Sequence, residues 1–218
     1  MFDIDGTLIE SYDFDTECFV EAVKQVTGYE IDTNWSRYKH VTDTGILNQF
    51  FKETNIENTE LAHESIKRVF LSKLQSRITT KPISEIPGAS AFISSLKELE
   101  SVAISFATGG WYESAILKLE SAGIDISNLP IASANDHHSR TEIMKIAEKR
   151  AVNETRLSFT YFGDGSWDLK ACKELGVNFV LVGNKLKHNQ SIKNFKKQNE
   201  AFEYIGLKQS HKERNSNS

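Results

Sequence analysis

Apolar residues along the chain gather in a few short runs separated by stretches of helical spacing. Four runs read as buried strands: Met1–Ile4, Val102–Ala107, Leu157–Phe162 and Asn178–Val182, with a weaker fifth at Leu129–Ser133. Between them, Ala89–Glu100 places Phe92, Ile93 and Leu96 on one face, and Ser114–Ala122 groups Ile116, Leu117 and Leu119. Thr141–Ala151 and Asp168–Leu175 follow the same spacing. Strands alternating with helices predict βαβ units and a mostly parallel sheet, an α/β fold.

Residues 10–83 break this rhythm. Asp15–Thr27, with Phe19, Val20, Val23 and Val26, and Leu61–Leu74, with Ile66, Val69 and Phe70, have helical spacing, as does Gly45–Phe51. The stretch lacks a convincing strand, so a helical insertion is expected directly after the first strand, with Pro87–Gly88 marking the return. After Val182 the chain turns basic, with eight Lys/Arg against three Glu over residues 185–218. Phe195, Phe202, Tyr204 and Ile205 predict one last docked helix. Lys208–Ser218 has almost nothing to bury and is expected to be a disordered tail.

The 218 residues exceed one ordinary domain of ~150, which fits one core with a large insertion. The net charge of −4 argues against a general nucleic-acid binder. No apolar run reaches the ~18 residues of a membrane span, and the start MFDIDGTLIE has neither part of a signal peptide. Cys18 and Cys172 are far apart and form no CxxC pair, which suits a reducing compartment. The expected setting is cytoplasmic, with no membrane or nucleic-acid partner.

Four segments carry chemistry, each just after a predicted strand. Asp3 and Asp5, two apart at a strand end, point the same way, and Gly6 lets the backbone turn. One carboxylate can attack an electrophile while the other handles the proton, although an Asp-Gly turn alone would also explain them. Thr108-Gly109-Gly110 opens a helix whose free N–H groups make an anion site, or simply a capped loop. Arg140 can clamp a phosphoryl oxygen or hold a nucleophilic carboxylate charged, whereas His137 and His138 lack the spacing of a metal pair on one helix face. Asp164 and Asp168 suit a hard cation such as Mg²⁺, or an N-cap. Open α/β sheets bind ligands at the C-terminal ends of their strands, so one cleft would collect all four segments.

The chain resembles the haloacid dehalogenase-like hydrolases, a superfamily consisting mostly of phosphatases. Asp3-Ile4-Asp5-Gly6-Thr7 matches the family's first motif, Thr108 the second, Arg140 the third, and Asp164 with Asp168 the acidic fourth. The resemblance implies a Rossmann-like core at residues 1–9 and 84–207 with an α-helical cap domain inserted at 10–83. It further implies that Asp3 forms an aspartyl-phosphate and that Asp5 protonates the leaving oxygen and then activates water. Mg²⁺ would be held by Asp3, Asp164 and the Asp5 carbonyl, Asp168 would bind metal waters or orient Arg140, and Thr108 and the Gly109 and Gly110 loop would hold the phosphoryl group. A helical cap suggests a small phosphorylated metabolite, with His40, Thr42, Asp43 and Thr44 of the segment KHVTDTG as candidate cap contacts.

The rivals are a phosphomutase of the β-phosphoglucomutase type, a phosphonate hydrolase using Lys39, and a non-catalytic binding module. Only Met1 and Phe2 precede Asp3, fewer than the family's central strand usually has. The expectation is a biological start further upstream, so a chain with upstream codons restored should be more stable.

Overall fold

The computed structural model describes residues 1–153, 156 and 158–207, so the expected tail at 208–218 lies outside the described residues. Two short strands, β1 (Ile9–Glu10) and β2 (Ser84–Glu85), pair antiparallel and bracket the helical stretch. Between them lie α1 (Tyr12–Thr27), a 3-10 turn at Trp35–Arg37, α2 (Asp43–Thr54) and α3 (Glu60–Thr80). Then follow α4 (Ala89–Lys97), β3 (Phe106–Ala107), α5 (Tyr112–Ser121), β4 (Ile131–Ala132), α6 (Arg140–Val152), β5 (Thr160–Gly163) and α7 (Ser166–Leu175). The chain closes with β6 (Asn178–Val182), β7 (Ser191–Ile192) and α8 (Gln198–Tyr204).

The N-terminal residues lie at the middle of the parallel sheet. Phe2 bridges Phe106 on one side and Phe162 on the other, so β4 and β3 run alongside it on one flank and β5, β6 and β7 on the other. The Met1 amino group donates to the Thr160 carbonyl at 2.9 Å, and burial pulls its pKa down to about 5. The strands are shorter than the apolar runs suggest. Val102–Ala107 yields a ladder only at Phe106–Ala107, and Leu129–Ser133 only at Ile131–Ala132. A ladder extends only as far as its neighbour's N–H and C=O groups, and beside β3 that neighbour is the short segment at Met1–Asp3.

Two apolar clusters explain the layering. Phe2, Phe92, Phe106, Phe162, Phe195 and Phe202 meet between the sheet and α4 and α8, with the Phe2 and Phe162 rings stacked at 4.9 Å. Phe19, Phe51, Phe70 and Leu74 from α1–α3 form a second cluster, which Trp111 and Ala134 join from the sheet side. Lys73–Glu21 and Arg77–Glu17 ion pairs flank the α1–α3 contact at 2.9 and 2.8 Å. Caps set the helix ends where the sequence provides them: Thr42 and Thr59 accept from the N–H groups of Gly45 and Ala62 to start α2 and α3. No helix among the described residues is long and apolar enough to cross a membrane.

Candidate active site

Asp3, Thr108 and Asp164 stand immediately past the C-terminal ends of three neighbouring parallel segments, and Arg140 opens the helix that follows the fourth. After Asp5 the chain reverses sharply, with the Gly6 N–H donating to Ile9 O at 2.9 Å and Leu8 N–H to Ile4 O at 2.9 Å. Gly6 has φ +76°, and a Cβ there would lie 2.2 Å from Asp164 Oδ2. Only glycine satisfies both the left-handed backbone and the close approach of the second acid.

Arg140 ties two carboxylates and a backbone carbonyl together. Its Nη1 lies 3.3 Å from Asp3 Oδ1 and 2.9 Å from Asp168 Oδ1, and its Nη2 donates to the Val41 carbonyl at 3.1 Å. Tyr161 reinforces it by accepting from Nη1 at 3.4 Å while its own hydroxyl donates to Ala107 O. Asp168 in turn accepts from the Gly165 N–H at 2.9 Å, capping α7. Burial, followed by repulsion from Asp168, pushes the Asp3 carboxyl well above the usual range, while Arg140 opposes the shift. Asp164 is raised to about 6 by burial and by Asp168, with Lys185 donating to its Oδ2 at 2.5 Å.

Asp3, Asp164 and Asp168 each present a carboxylate oxygen within one cluster spanning at most 4.8 Å. The buried Asp164 Oδ1 has no hydrogen-bond partner, an orphaned acceptor in an all-oxygen donor set. That combination fits a small divalent cation with oxygen preference.

Asp5 sits in a different environment. Its carboxylate accepts from Ser11 Oγ and lies 2.7 Å from Lys118 Nζ, which also reaches Asp15 at 2.8 Å. Lys118 is only 1% exposed. Burial lowers its pKa, but Asp15 and Asp5 outweigh that and hold the ammonium charged. Asp15 is raised to about 6, chiefly by burial.

Asp3, Asp5, Asp15 and Arg140 line a cavity of about 100 Å³, walled on the helical side by Phe19, Trp35, Val41 and Ile46. Thr108, Gly109 and Gly110 line it from the loop after β3, where the Gly110 N–H donates to Thr108 Oγ1 at 3.1 Å. Thr42 and Asp43 also line it, and both fasten α2 to the sheet side. Thr42 Oγ1 donates to His138 O at 2.7 Å, the Asp43 N–H to Gly109 O at 2.8 Å, and the Trp111 N–H to Asp43 Oδ2 at 2.9 Å. Thr44 Oγ1 donates to Ala134 O at 2.9 Å. The structure places His40 elsewhere, in an adjoining groove with Lys39 and Lys170 and edge-on to His138 at 5.0 Å.

Sequence reasoning missed Lys118, Asp15 and Tyr161. Lys118 left a trace: it falls between Ala115 and Leu119 on the buried face of α5, where a lone lysine demands a buried counter-charge. Asp15 and Tyr161 carried no comparable signal.

Residues 1–182 match the family model described as haloacid dehalogenase-like hydrolase. A search of curated proteins finds no match. Among solved structures, CbbY from Rhodobacter sphaeroides in complex with phosphate superposes with a TM-score of 0.66 at 16% identity, covering 89% of this chain and 92% of that one. A hydrolase from Pseudomonas syringae gives 0.65 at 21% identity, over 83% and 82% of the two chains. β-Phosphoglucomutase from Clostridium difficile gives 0.65 at 19%, over 88% and 89%.

Proposed function

Because the chain belongs to the haloacid dehalogenase-like hydrolases, we propose that it is a Mg²⁺-dependent phosphatase of a small phosphorylated metabolite, acting through an aspartyl-phosphate on Asp3. The observation that carries this reading is the division between its two acids. Asp3 lies beside Arg140 and the orphaned Asp164 oxygen, whereas Asp5, two residues on, is held by Ser11 and Lys118 at the cavity wall. Asp3 is buried within the carboxylate cluster that could hold a cation, with Arg140 alone opposing its protonation, and Asp5 is set among donors that fix its orientation.

In this reading an Asp3 oxygen attacks phosphorus as the ester P–O bond breaks, and Asp5 gives its proton to the leaving oxygen. Asp5 then takes a proton from water, which attacks the phosphoryl group, releases phosphate and restores Asp3. Arg140 opposes the burial and the carboxylate repulsion that push Asp3 toward its protonated form, and is itself oriented by Asp168. Thr108 Oγ1 and the Gly109 and Gly110 backbone hold the phosphoryl oxygens. Asp3, Asp164 and the Asp5 carbonyl would hold Mg²⁺, which when bound supplies the positive charge that an incoming phosphate dianion needs beside a carboxylate.

Residues 10–83 act as a cap domain over the core at 1–9 and 84–207. With Phe19, Trp35 and Val41 over the acids, the cap excludes bulk water and limits the substrate to a small one. The two buried free cysteines suit a cytoplasmic setting.

The test is phosphate release from p-nitrophenyl phosphate with Mg²⁺ and with EDTA, for wild type and Asp3→Asn. Release that needs Mg²⁺ and disappears in the variant is expected. Release that persists in Asp3→Asn would sink the aspartyl-phosphate, and its absence from folded wild type would sink the phosphatase reading.

A further inference from the structure

Most of the positive charge in the cavity is committed before any substrate arrives, the buried Arg140 Nε alone being without a partner. Among the described residues lining it, Arg140 is the one cation, and its guanidinium is shared between Asp3 and Asp168. Lys118 lies behind the wall with its ammonium divided between Asp5 and Asp15. Lys185 pairs with Asp164 and lines a separate groove beneath α1. Lys39, His40 and Lys170 occupy another groove, in whose wall Val41, Arg140 and Trp167 are shared with the cavity.

The part of the cavity left for a leaving group has the opposite character. Asp15 and Asp43 present carboxyl groups there, beside Phe19, Trp35 and Ile46. Burial, followed by repulsion from Asp15, raises Asp43 to about 8, so near neutrality it offers a hydroxyl donor as well as an acceptor. A second anion would be desolvated against aromatic and aliphatic side chains with no uncommitted cation, and would face Asp15. A hydroxyl or an ammonium would find acceptors.

We propose that the substrate's transferred phosphoryl is its one anionic group, carried on a small leaving group that is neutral or cationic, so that phosphocarboxylates and bisphosphates are disfavoured. The proposal rests on the phosphatase reading and narrows it. It also bears on the mutase alternative. Moving a phosphoryl group between two hydroxyls of one molecule through an aspartyl-phosphate passes through a bisphosphate. The second phosphate of that species would have to lie against Asp15 and Asp43.

Three two-carbon monoesters of similar size test it: 2-hydroxyethyl phosphate, O-phosphoethanolamine and 2-phosphoglycolate, with Mg²⁺ at pH 7.5. The expected kcat/KM for 2-phosphoglycolate is at least tenfold below that of each of the other two, a difference of about 1.4 kcal/mol. A value within tenfold of either, or above them, overturns the proposal and leaves the phosphatase reading intact. Calorimetric titration of the Asp3→Asn protein with the same three esters gives a readout without turnover. If no ester is hydrolysed, the phosphatase reading fails and the titration decides the charge preference by the same tenfold criterion. Failure of all three to bind overturns both.

Discussion

Lys118→Met is the sharpest perturbation the structure offers, because it removes one buried charge from between two carboxylates. The ammonium lies 2.7 Å from Asp5 and 2.8 Å from Asp15. Breaking a buried ion pair from one side costs about 3–5 kcal/mol, since the charge left behind is uncompensated. Here the lower end applies, because the Asp5 and Asp15 side chains keep 21% and 24% of their exposure. A loss of about 3 kcal/mol lowers Tm by about 6–12 °C in a chain of this size. Asp15 absorbs part of the strain by protonating, its pKa already standing at about 6.

The catalytic consequence depends on the leaving group. Lys118 touches Asp5 and does not line the cavity, so it is a positioning residue for the acid. General-acid catalysis is worth about 10²–10⁴-fold for a poor leaving group that must depart protonated. p-Nitrophenolate leaves without a proton and draws little on that assistance. Lys118→Met should therefore lower kcat/KM for an alkyl phosphate by about 10²-fold or more, and for p-nitrophenyl phosphate by less than tenfold. Lys118→Arg, which keeps the charge, should recover most of the alkyl-phosphate rate. The assay is the ratio of the two kcat/KM values, measured well below the variant's Tm. Equal losses on both substrates would refute the positioning argument, because a merely loosened fold does not distinguish leaving groups.

Three further outcomes follow from the same geometry. Mg²⁺ should raise Tm, by an amount equivalent to about 2.7 kcal/mol at a hundredfold excess over Kd; because Asp164 takes up a proton near pH 6, the increment should shrink between pH 7.5 and pH 5, and an unchanged increment would exclude Asp164 as a ligand. Gly6→Ala forces a left-handed φ on a residue with a Cβ aimed at Asp164, so it should cost about 2 kcal/mol or more and abolish the Mg²⁺-induced Tm shift; a variant that retains the shift contradicts the close packing. Asp43 keeps its proton in the folded chain up to about pH 8 but loses it near pH 4 when unfolded. Folding thus holds an extra proton across that window, and stability falls as pH rises by up to about 1.4 kcal/mol per unit. Asp43→Asn removes that slope, so its Tm relative to wild type should climb from pH 5 to pH 7.5, and a constant difference would refute the assignment.

How much of this was legible in the sequence depends on whether a feature is local. The turn after Asp5 was legible because Gly6 must follow it, and the helical stretch because Phe19 and Val23, and again Ile66 and Phe70, stand at helical spacing. Strand ends were not, since Val102–Ile104 is as apolar as Phe106–Ala107 and only the neighbouring segment decides which of them pairs. The candidate cap contacts divide for a similar reason. Thr42 and Asp43 reach the cavity because Thr42 caps α2 and its hydroxyl is anchored on His138 O. His40, two residues earlier, is carried out to the adjoining groove. Lys118 shows what a one-dimensional reading overlooks. Its position on the buried face of α5 announces a counter-charge, but Asp15 lies 103 residues away, and only the docking of α1 over the sheet brings the two together. The charge balance of the cavity, from which the substrate preference was inferred, is a property of that docking. It follows from which cations the fold has already paired, and no count of lysines and aspartates in the chain could supply it.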